Sequence, residues 1–229
     1  NYDQRSRIEF YNDLKKKNDN VKVVVFPSSY TEENELFPLS SHSNSETVFC
    51  NENGYFSTYV SDRFGFNNPD NEWDKDQIEY LLVGDSFTNG ACVNRPDDIA
   101  SILRKLSNKA VLNLGYSSNG PLTEYATLRE YMGKNVKKVL WMYYEGNDLG
   151  ELGLELLNGI LIKYLEDKEF SQNLKNRQKE INLKANSKIN SESQIRRKDK
   201  FLKFIKLTKV RYIFIEKPES AIKSEFIEV

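Results

Sequence analysis

The sequence predicts an α/β domain built on a parallel sheet, and three observations indicate it. Three mainly apolar segments, 78–84, 111–115 and 137–146, have the composition of buried strands. Helical patterns separate them at 97–107 and 121–132. This β–α–β–α–β order connects parallel strands through helices that cover both faces of the sheet. We therefore expect a three-layer α/β fold.

Residues 1–75 are predicted to form an N-terminal extension that packs on this domain. The pattern over 1–20 is helical, and the β-branched segment 21–26 predicts a strand. Residues 47–60 predict a β-hairpin around the dipeptide Asn53-Gly54, because both of its residues tolerate positive φ.

Single residues support several of these elements. Phe64 and Phe66 are expected to anchor the loop before the first strand of the α/β domain. Asp97 is a suitable cap for the helix over 97–107. Four apolar residues of that helix share one face and are expected to be buried: Ile99, Ile102, Leu103 and Leu106. Pro121 suits the first turn of the second helix.

The chain after the third strand becomes increasingly polar. Residues 149–165 are rich in leucine and isoleucine and predict a helix, whereas 166–200 is rich in Lys, Asn, Glu and Ser. We interpret that stretch as an exposed, charged helical insertion or a partly disordered excursion. A helix that runs into irregular structure is expected over 201–215, and Pro218 opens a last helix. We assign 76–229 to the α/β domain.

Charge and cysteine content exclude several classes of function. The 229 residues include 33 basic and 34 acidic ones, so the net charge of −1 gives no electrostatic case for a nucleic-acid partner. Cys50 and Cys92 are the only cysteines, and their spacing argues against a zinc site or a disulfide-rich scaffold. Whether a single disulfide joins these two cysteines stays open at this point. No run approaches the roughly 20 apolar residues of a membrane helix, and we expect neither a metal nor a cofactor.

Three polar, glycine-containing turns follow the three predicted strands, at 84–86, 113–120 and 146–148. Ligands gather beyond the carboxyl ends of parallel strands, so the topology alone predicts a site there. A serine at a strand-to-helix turn has an exposed hydroxyl, and small neighbours let backbone N–H groups approach a reacting carbonyl oxygen. An asparagine amide adds another donor to that oxygen.

These turns resemble the sequence blocks of SGNH/GDSL hydrolases. GDSFTNG at 84–90 resembles the first block, NLGYSSNGP at 113–121 the second, and EGND at 145–148 the third. The resemblance covers roughly residues 60–165, in the family's order. It is closest to SGNH proteins found with bacterial surface-polysaccharide genes, which have a D-x-x-G-F segment before the first block. The residues of that segment here are Asp62, Gly65 and Phe66.

The resemblance implies a flavodoxin-like SGNH fold and a role for each site residue. Ser86 would be the nucleophile, and its backbone N–H would be one donor to the oxyanion. Asn147 would give the side-chain donor. The backbone donor of the second block aligns best with Ser118, and Gly115 and Gly120 are the alternatives.

Further residues of the first and third blocks would support these turns. They are Gly84, Asp85 and Asp148, and we expect Asp148 to be structural. The G-x-S-x-G elbow of α/β-hydrolases does not fit, because Thr88 stands at the position of the second glycine.

The family's catalytic Asp and His belong to a D-x-x-H segment near its C-terminus, and this chain has no such segment. Its one histidine, His42, lies upstream in a Ser/Asn-rich loop and is expected to be solvated. We therefore expect the chain to stop before the D-x-x-H segment, which leaves the SGNH domain incomplete. Without a partner to take its proton, the serine should be nearly inert.

The resemblance implies a serine esterase or O-acyltransferase that forms an acyl-enzyme on Ser86. Its substrate would be a small acyl ester, with acetyl on a glycan or polysaccharide expected. We expect the cell envelope or periplasm as its compartment and leave open a membrane-associated assembly through segments outside this chain. One alternative is a catalytically inactive SGNH-fold module that binds a glycan or a partner. Another is a nucleotide-binding domain, which would need a G-x-G-x-x-G loop that GDSFTNG lacks.

Overall fold

A computed structural model describes residues 2–30 and 36–205, with side chains described as far as Ser191. Residues Asn1–Ser187 form one compact unit, and a second unit begins at Lys188. The expected irregular structure after 205 and the helix opened by Pro218 lie outside the described residues.

The chain begins with a helix and a small sheet. Helix α1 (Arg7–Lys15) starts at a capping box, in which the side chain of Ser6 and that of Glu9 each bond the other's backbone N–H. Strand β1 (Val21–Val23) pairs in parallel with β2 (Glu46–Val48), which pairs antiparallel with β3 (Thr58–Val60). The predicted hairpin is therefore confirmed.

The hairpin's strands are shorter and its connection longer than the sequence predicts. Each strand has three residues, and the chain between them spans 49–57. Only Gly54 of the predicted turn dipeptide has a positive φ, of 86°. A disulfide joins Cys50 in this connection to Cys92, with 42 residues of sequence separation. The bridge that the sequence left open is thus present.

The predicted α/β character is confirmed by a second, all-parallel sheet. Its strands are β4 (Ile78–Gly84), β5 (Val111–Asn113) and β6 (Val136–Met142), in the order β5-β4-β6. Helix α3 (Ile99–Ser107) connects β4 to β5, and α4 (Pro121–Tyr131) connects β5 to β6. The N-terminal part packs directly on this sheet, because the side-chain amide of Asn68 exchanges hydrogen bonds with both backbone groups of Asn113.

Helices cover both faces of the parallel sheet. On one face, Leu82 of β4 packs with Ala100 of α3. The next residue, Val83, points to the opposite face and is paired with Trp141 of β6. The indole N–H of Trp141 donates to a carboxyl oxygen of Glu124 in α4, at 2.5 Å. Helix α4 therefore lies on the face opposite α3.

The packing of α3 differs from the expected one. Asp98, not Asp97, caps the helix, by accepting the backbone N–H of Ser101. Ala100 and Leu103 face the sheet, so the buried side of α3 is not the side that the sequence predicts. Three of the four residues predicted to be buried are exposed: Ile99, Ile102 and Leu106.

Strand β6 forms an open edge in the described part of the chain. It pairs with β4 only, and the apolar residues of its second half have exposed fractions of 37–44%. Those residues are Val139, Leu140 and Trp141. The strand ends at Met142, short of the predicted limit at 146.

Among the described residues, three α-helices follow β6: α5 (Asp148–Glu155), α6 (Gly159–Glu166) and α7 (Gln178–Ile205). The single helix predicted over 149–165 is divided, because the side chain of Asn158 caps α6 by accepting two backbone N–H groups. Among the described residues, no helix combines the length and the apolar content that a membrane crossing requires.

The stretch 166–200 is helical from residue 178 onward, and the first turns of this helix are more buried than the composition indicates. Ile181 and Ala185 of α7 are fully buried. Asn182 also exchanges hydrogen bonds with Ser43, 139 residues earlier in the chain. A narrow apolar stripe and long-range polar contacts thus fix the first half of α7 within the compact unit.

Candidate functional site

Ser86 lies at the strand-to-helix turn where the sequence predicts it. Strand β4 ends at Gly84, and Asp85 caps the short helix α2 (Ser86–Asn89) by accepting the backbone N–H of Phe87 at 2.9 Å. Ser86 is half-buried. Neither its hydroxyl nor its backbone N–H has a hydrogen-bond partner among the described residues. Both groups are therefore available to a ligand.

Two glycines let the first turn pack tightly on its neighbours. A Cβ atom added at Gly84 would lie 2.2 Å from Oγ1 of Thr88 and 2.8 Å from the carbonyl oxygen of Met142. A Cβ atom added at Gly115 would lie 2.5 Å from Cβ of Thr88. Thr88 is fully buried between the two glycines, so the first and second turns are in direct contact.

We expect Gly115→Ala to lower the free energy of unfolding by about 1–3 kcal/mol, because the new methyl group overlaps Thr88 and has no space to move into. Urea unfolding measures the change. Gly150→Ala is the matched control, since a Cβ atom there meets nothing within 4 Å. Equal effects of the two substitutions would contradict the packing described.

A pair of buried asparagines joins the first two turns. The side chain of Asn113 accepts the backbone N–H of Gly115 at 2.8 Å and donates to the carbonyl oxygen of Thr88 at 2.6 Å. The side chain of Asn89 donates to the carbonyl oxygen of Gly115 at 3.1 Å. The sequence predicts no role for the side chain of Asn89 or of Asn113, although both residues lie within the motif blocks.

The structure distinguishes the three residues proposed as the backbone donor of the second turn. The N–H of Gly115 is taken by Asn113, and that of Gly120 donates to Glu155 at 2.7 Å. The N–H of Ser118 has no acceptor among the described residues. Ser118 has a φ of 61°, in the left-handed region, and lines a cavity. Ser118 is therefore the one of the three that keeps a free donor.

The third turn supplies an amide and a buried carboxylate. Asn147 is half-buried, and its Nδ2 donates to Oε1 of Glu151 at 3.3 Å, which leaves its second hydrogen available. Asp148 is fully buried and accepts the backbone N–H of Tyr144 at 2.6 Å. This bond holds the turn, as expected for a structural residue. Burial raises the pKa of Asp148, and the charge of Asp85 adds to the effect.

All three turns meet at the carboxyl edge of the parallel sheet. The rings of Phe87 in the first turn and Tyr144 before the third are 5.1 Å apart. A Cβ atom added at Gly120 in the second turn would lie 2.8 Å from Cβ of Glu151, one turn into α5. Tyr143 and Tyr144, which lie between β6 and the third turn, are both exposed.

His42 is buried, not solvated. Its Nδ1 lies 3.1 Å from Oγ of Ser41, and its Nε2 lies 3.1 Å from Oδ1 of Asn186 in α7. Burial lowers its pKa to about 4. Because both ring nitrogens are engaged away from Ser86, His42 is not its base in this arrangement. The packing of α7, which composition did not indicate, explains the difference.

Several carboxyl groups surround the turns without basic partners. Glu124 is fully buried, and burial raises its pKa to about 8, with the charges of Asp148 and Asp85 acting in the same direction. Burial also raises the pKa values of Glu151 and Glu155. The sequence analysis assigned these glutamates no role. In the part of the chain described, no three acidic, histidine or cysteine side chains are arranged to hold a metal ion.

We expect Glu124→Gln to stabilise the protein at high pH. Glu124 keeps its proton in the folded state up to about pH 8, whereas the unfolded chain loses it near 4.5. The stability that the protonated carboxyl group of Glu124 contributes is therefore fully present below pH 4.5 and is lost as the pH rises through 8. The variant should gain at most about 5 kcal/mol over wild type at pH 9, because one pKa unit corresponds to about 1.4 kcal/mol, and little at pH 4.5. Urea unfolding at both pH values tests this. The same pH-dependent gain in Glu166→Gln, at an exposed position, would contradict it.

Comparison of the chain with family models, with curated proteins and with solved structures found no match.

Proposed function

We propose that the chain is an SGNH-type serine esterase or O-acyltransferase that acts on a small acyl ester, with acetyl on a glycan or polysaccharide as the expected substrate. One observation carries the proposal: a free serine hydroxyl, a free backbone N–H of Ser118 and the carboxamide of Asn147 lie on three adjacent turns at one sheet edge. A parallel sheet with the serine after its central strand also agrees with the flavodoxin-like SGNH fold.

In the proposed reaction, Oγ of Ser86 attacks the acyl carbonyl carbon and the alcohol of the ester leaves with a proton. The negative oxygen of the tetrahedral intermediate accepts hydrogen bonds from the N–H groups of Ser86 and Ser118 and from Nδ2 of Asn147. Removing one such donor costs roughly 10²–10³-fold in turnover. Water then releases the acyl group in a hydrolase, and an acceptor hydroxyl takes it in a transferase.

The proton of Ser86 needs a base, and the family resemblance assigns that role to a D-x-x-H segment. The chemistry requires no metal and no cofactor. The Cys50–Cys92 disulfide supports an oxidising compartment such as the cell envelope or periplasm, because disulfides persist there.

Labelling with a fluorophosphonate tests the proposal, because this probe reacts with activated serines. The full-length protein is treated with the probe and digested, and the modified peptide is identified by mass spectrometry. We expect the label on the peptide that contains Ser86. A protein that stays unlabelled, or that is labelled on another serine, would exclude Ser86 as the nucleophile.

A second candidate is a catalytically inactive SGNH-fold module that binds a glycan or a partner. The observation in its favour is that no base contacts Ser86 among the described residues. Such a module would bind an acetylated oligosaccharide in calorimetry, yet it would neither take the label nor release acetate. An esterase would do all three.

A further inference from the structure

A cavity of about 540 Å³ adjoins the second and third turns, and its chemistry narrows the choice of substrate. Ser118, whose N–H is free, is one of its lining residues. Much of the wall is apolar or aromatic and comes from the N-terminal part, α5 and α6. These side chains include Tyr30, Phe37, Leu154, Leu157 and Leu161.

Among the described residues of the cavity lining, the charged groups are two glutamates, and the two carboxylates differ in how their negative charge is compensated. The carboxylate of Glu155 accepts the backbone N–H groups of Gly120 and Leu122 at the start of α4, at 2.7 and 2.9 Å. The helix N-terminus therefore balances its charge. Glu151 has one oxygen bonded to Asn147, and its second oxygen, Oε2, is buried without a partner. A buried acceptor of this kind needs a donor from a ligand or a water.

The surroundings of Glu151 favour a cation over an anion. Burial raises its pKa, and the neighbouring charges that act on it, those of Glu155, Asp148 and Asp85, are all negative. None of the described residues that line the cavity is basic. The nearby Lys184 places Nζ 5.9 Å from the centre of the Tyr30 ring and donates to the carbonyl oxygen of Leu36. An anionic group would meet repulsion in this cavity.

We propose that the cavity binds an alkylammonium group carried by the acyl substrate, with Glu151 as its anionic partner. Aromatic rings attract cations, and apolar walls accept the carbon atoms around an ammonium nitrogen. Assigning the group to the substrate rests on the proposed function, in which the N–H of Ser118, a lining residue of the cavity, would donate to the reacting carbonyl oxygen.

Calorimetry with a charged and an uncharged probe of the same shape tests the inference. Choline and 3,3-dimethylbutan-1-ol differ in the nitrogen and its charge but have nearly equal size. We expect the full-length protein to bind choline about tenfold more tightly, because the carboxylate and the rings act on the charge alone. Equal binding of the two probes, or binding of neither, would overturn the inference.

Substitutions then test whether Glu151 is the source of the preference for choline. Glu151→Gln keeps the shape and removes the charge, so the preference for choline should disappear, whereas Glu166→Gln at an exposed site outside the cavity should keep it. Leu157→Arg is a second variant that poses little risk to folding, since Leu157 is 75% exposed. It adds a like charge to the lining and should weaken choline binding about tenfold. Unchanged choline binding in both cavity variants would contradict the assignment.

The same measurements separate this inference from the proposed function. Ser86→Ala should bind choline as tightly as wild type, because Ser86 does not line the cavity. Choline binding in a protein that never takes the fluorophosphonate label would refute the esterase and retain a cation site. A labelled protein without a preference for choline would refute the cation site alone.

Discussion

Ser86→Ala should reduce fluorophosphonate labelling and acyl-ester turnover of the full-length protein by at least roughly 10³-fold, the scale of a lost nucleophile in serine hydrolases. The physical reason is that the hydroxyl of Ser86 has no hydrogen-bond partner among the described residues, and in the proposed reaction it attacks a carbonyl group whose oxygen two further donors hold. Replacing that hydroxyl by hydrogen removes the atom that bonds to the acyl carbon. Labelling rates and release of p-nitrophenol from p-nitrophenyl acetate measure the effect.

Two neighbouring serines provide matched controls. Ser117 is almost fully buried. In the proposed reaction Ser118 acts through its backbone N–H, which alanine retains. Ser117→Ala and Ser118→Ala should therefore keep labelling within about tenfold of wild type, a change far smaller than the loss at Ser86. A larger loss in either control than in Ser86→Ala would assign the nucleophile to the second turn.

Removing the disulfide in Cys50→Ser/Cys92→Ser should lower the free energy of unfolding by about 4 kcal/mol. The bridge closes a loop with 42 residues of separation, and loop-closure entropy of the unfolded chain gives this magnitude. The loop includes Ser86, so lost stability should be accompanied by lost order at the site. Urea unfolding of the oxidised wild type and the double variant measures the difference.

A reducing agent supplies the control for this prediction. Dithiothreitol should lower the urea midpoint of the wild type towards that of the double variant and leave the double variant unchanged. Equal midpoints for oxidised wild type and the variant would show that the bridge contributes nothing to stability.

The parallel sheet could be predicted from sequence because its central strand is a mainly apolar segment that two helix–strand units follow. Such a segment is typical of a strand buried by its neighbours, and β4 is that strand. Orientation of the helices was harder to predict. Leu106 belongs to an apolar stripe yet is 79% exposed, because Ala100 and Leu103 determine which side of α3 meets the sheet.

Polar long-range contacts explain most of the remaining differences. Composition predicts that 166–200 is exposed, yet α7 is fixed by hydrogen bonds to residues more than 130 positions earlier. No local pattern encodes such a pairing. The burial of His42 has the same origin, since its partner Asn186 lies on α7.

The positions of the site residues followed from motif blocks, but their chemical state did not. Sequence spacing left three candidates for the second-turn donor, because it shows which N–H groups exist and not which already have acceptors. The N–H of Gly115 donates to Asn113, two residues away, and the N–H of Gly120 donates to Glu155, 35 residues away. Only the folded arrangement leaves Ser118 free.

The outer side of β6 has a consequence for how this part of the protein behaves in concentrated solution. Among the described residues, the outer N–H and C=O groups of β6 pair with no other strand and run alongside exposed Leu140 and Trp141, and an edge of this kind lets two molecules join strand to strand through their main chains. Association of this kind increases with protein concentration. A lysine at position 140 would oppose it by placing a repelling charge on each of the approaching strands.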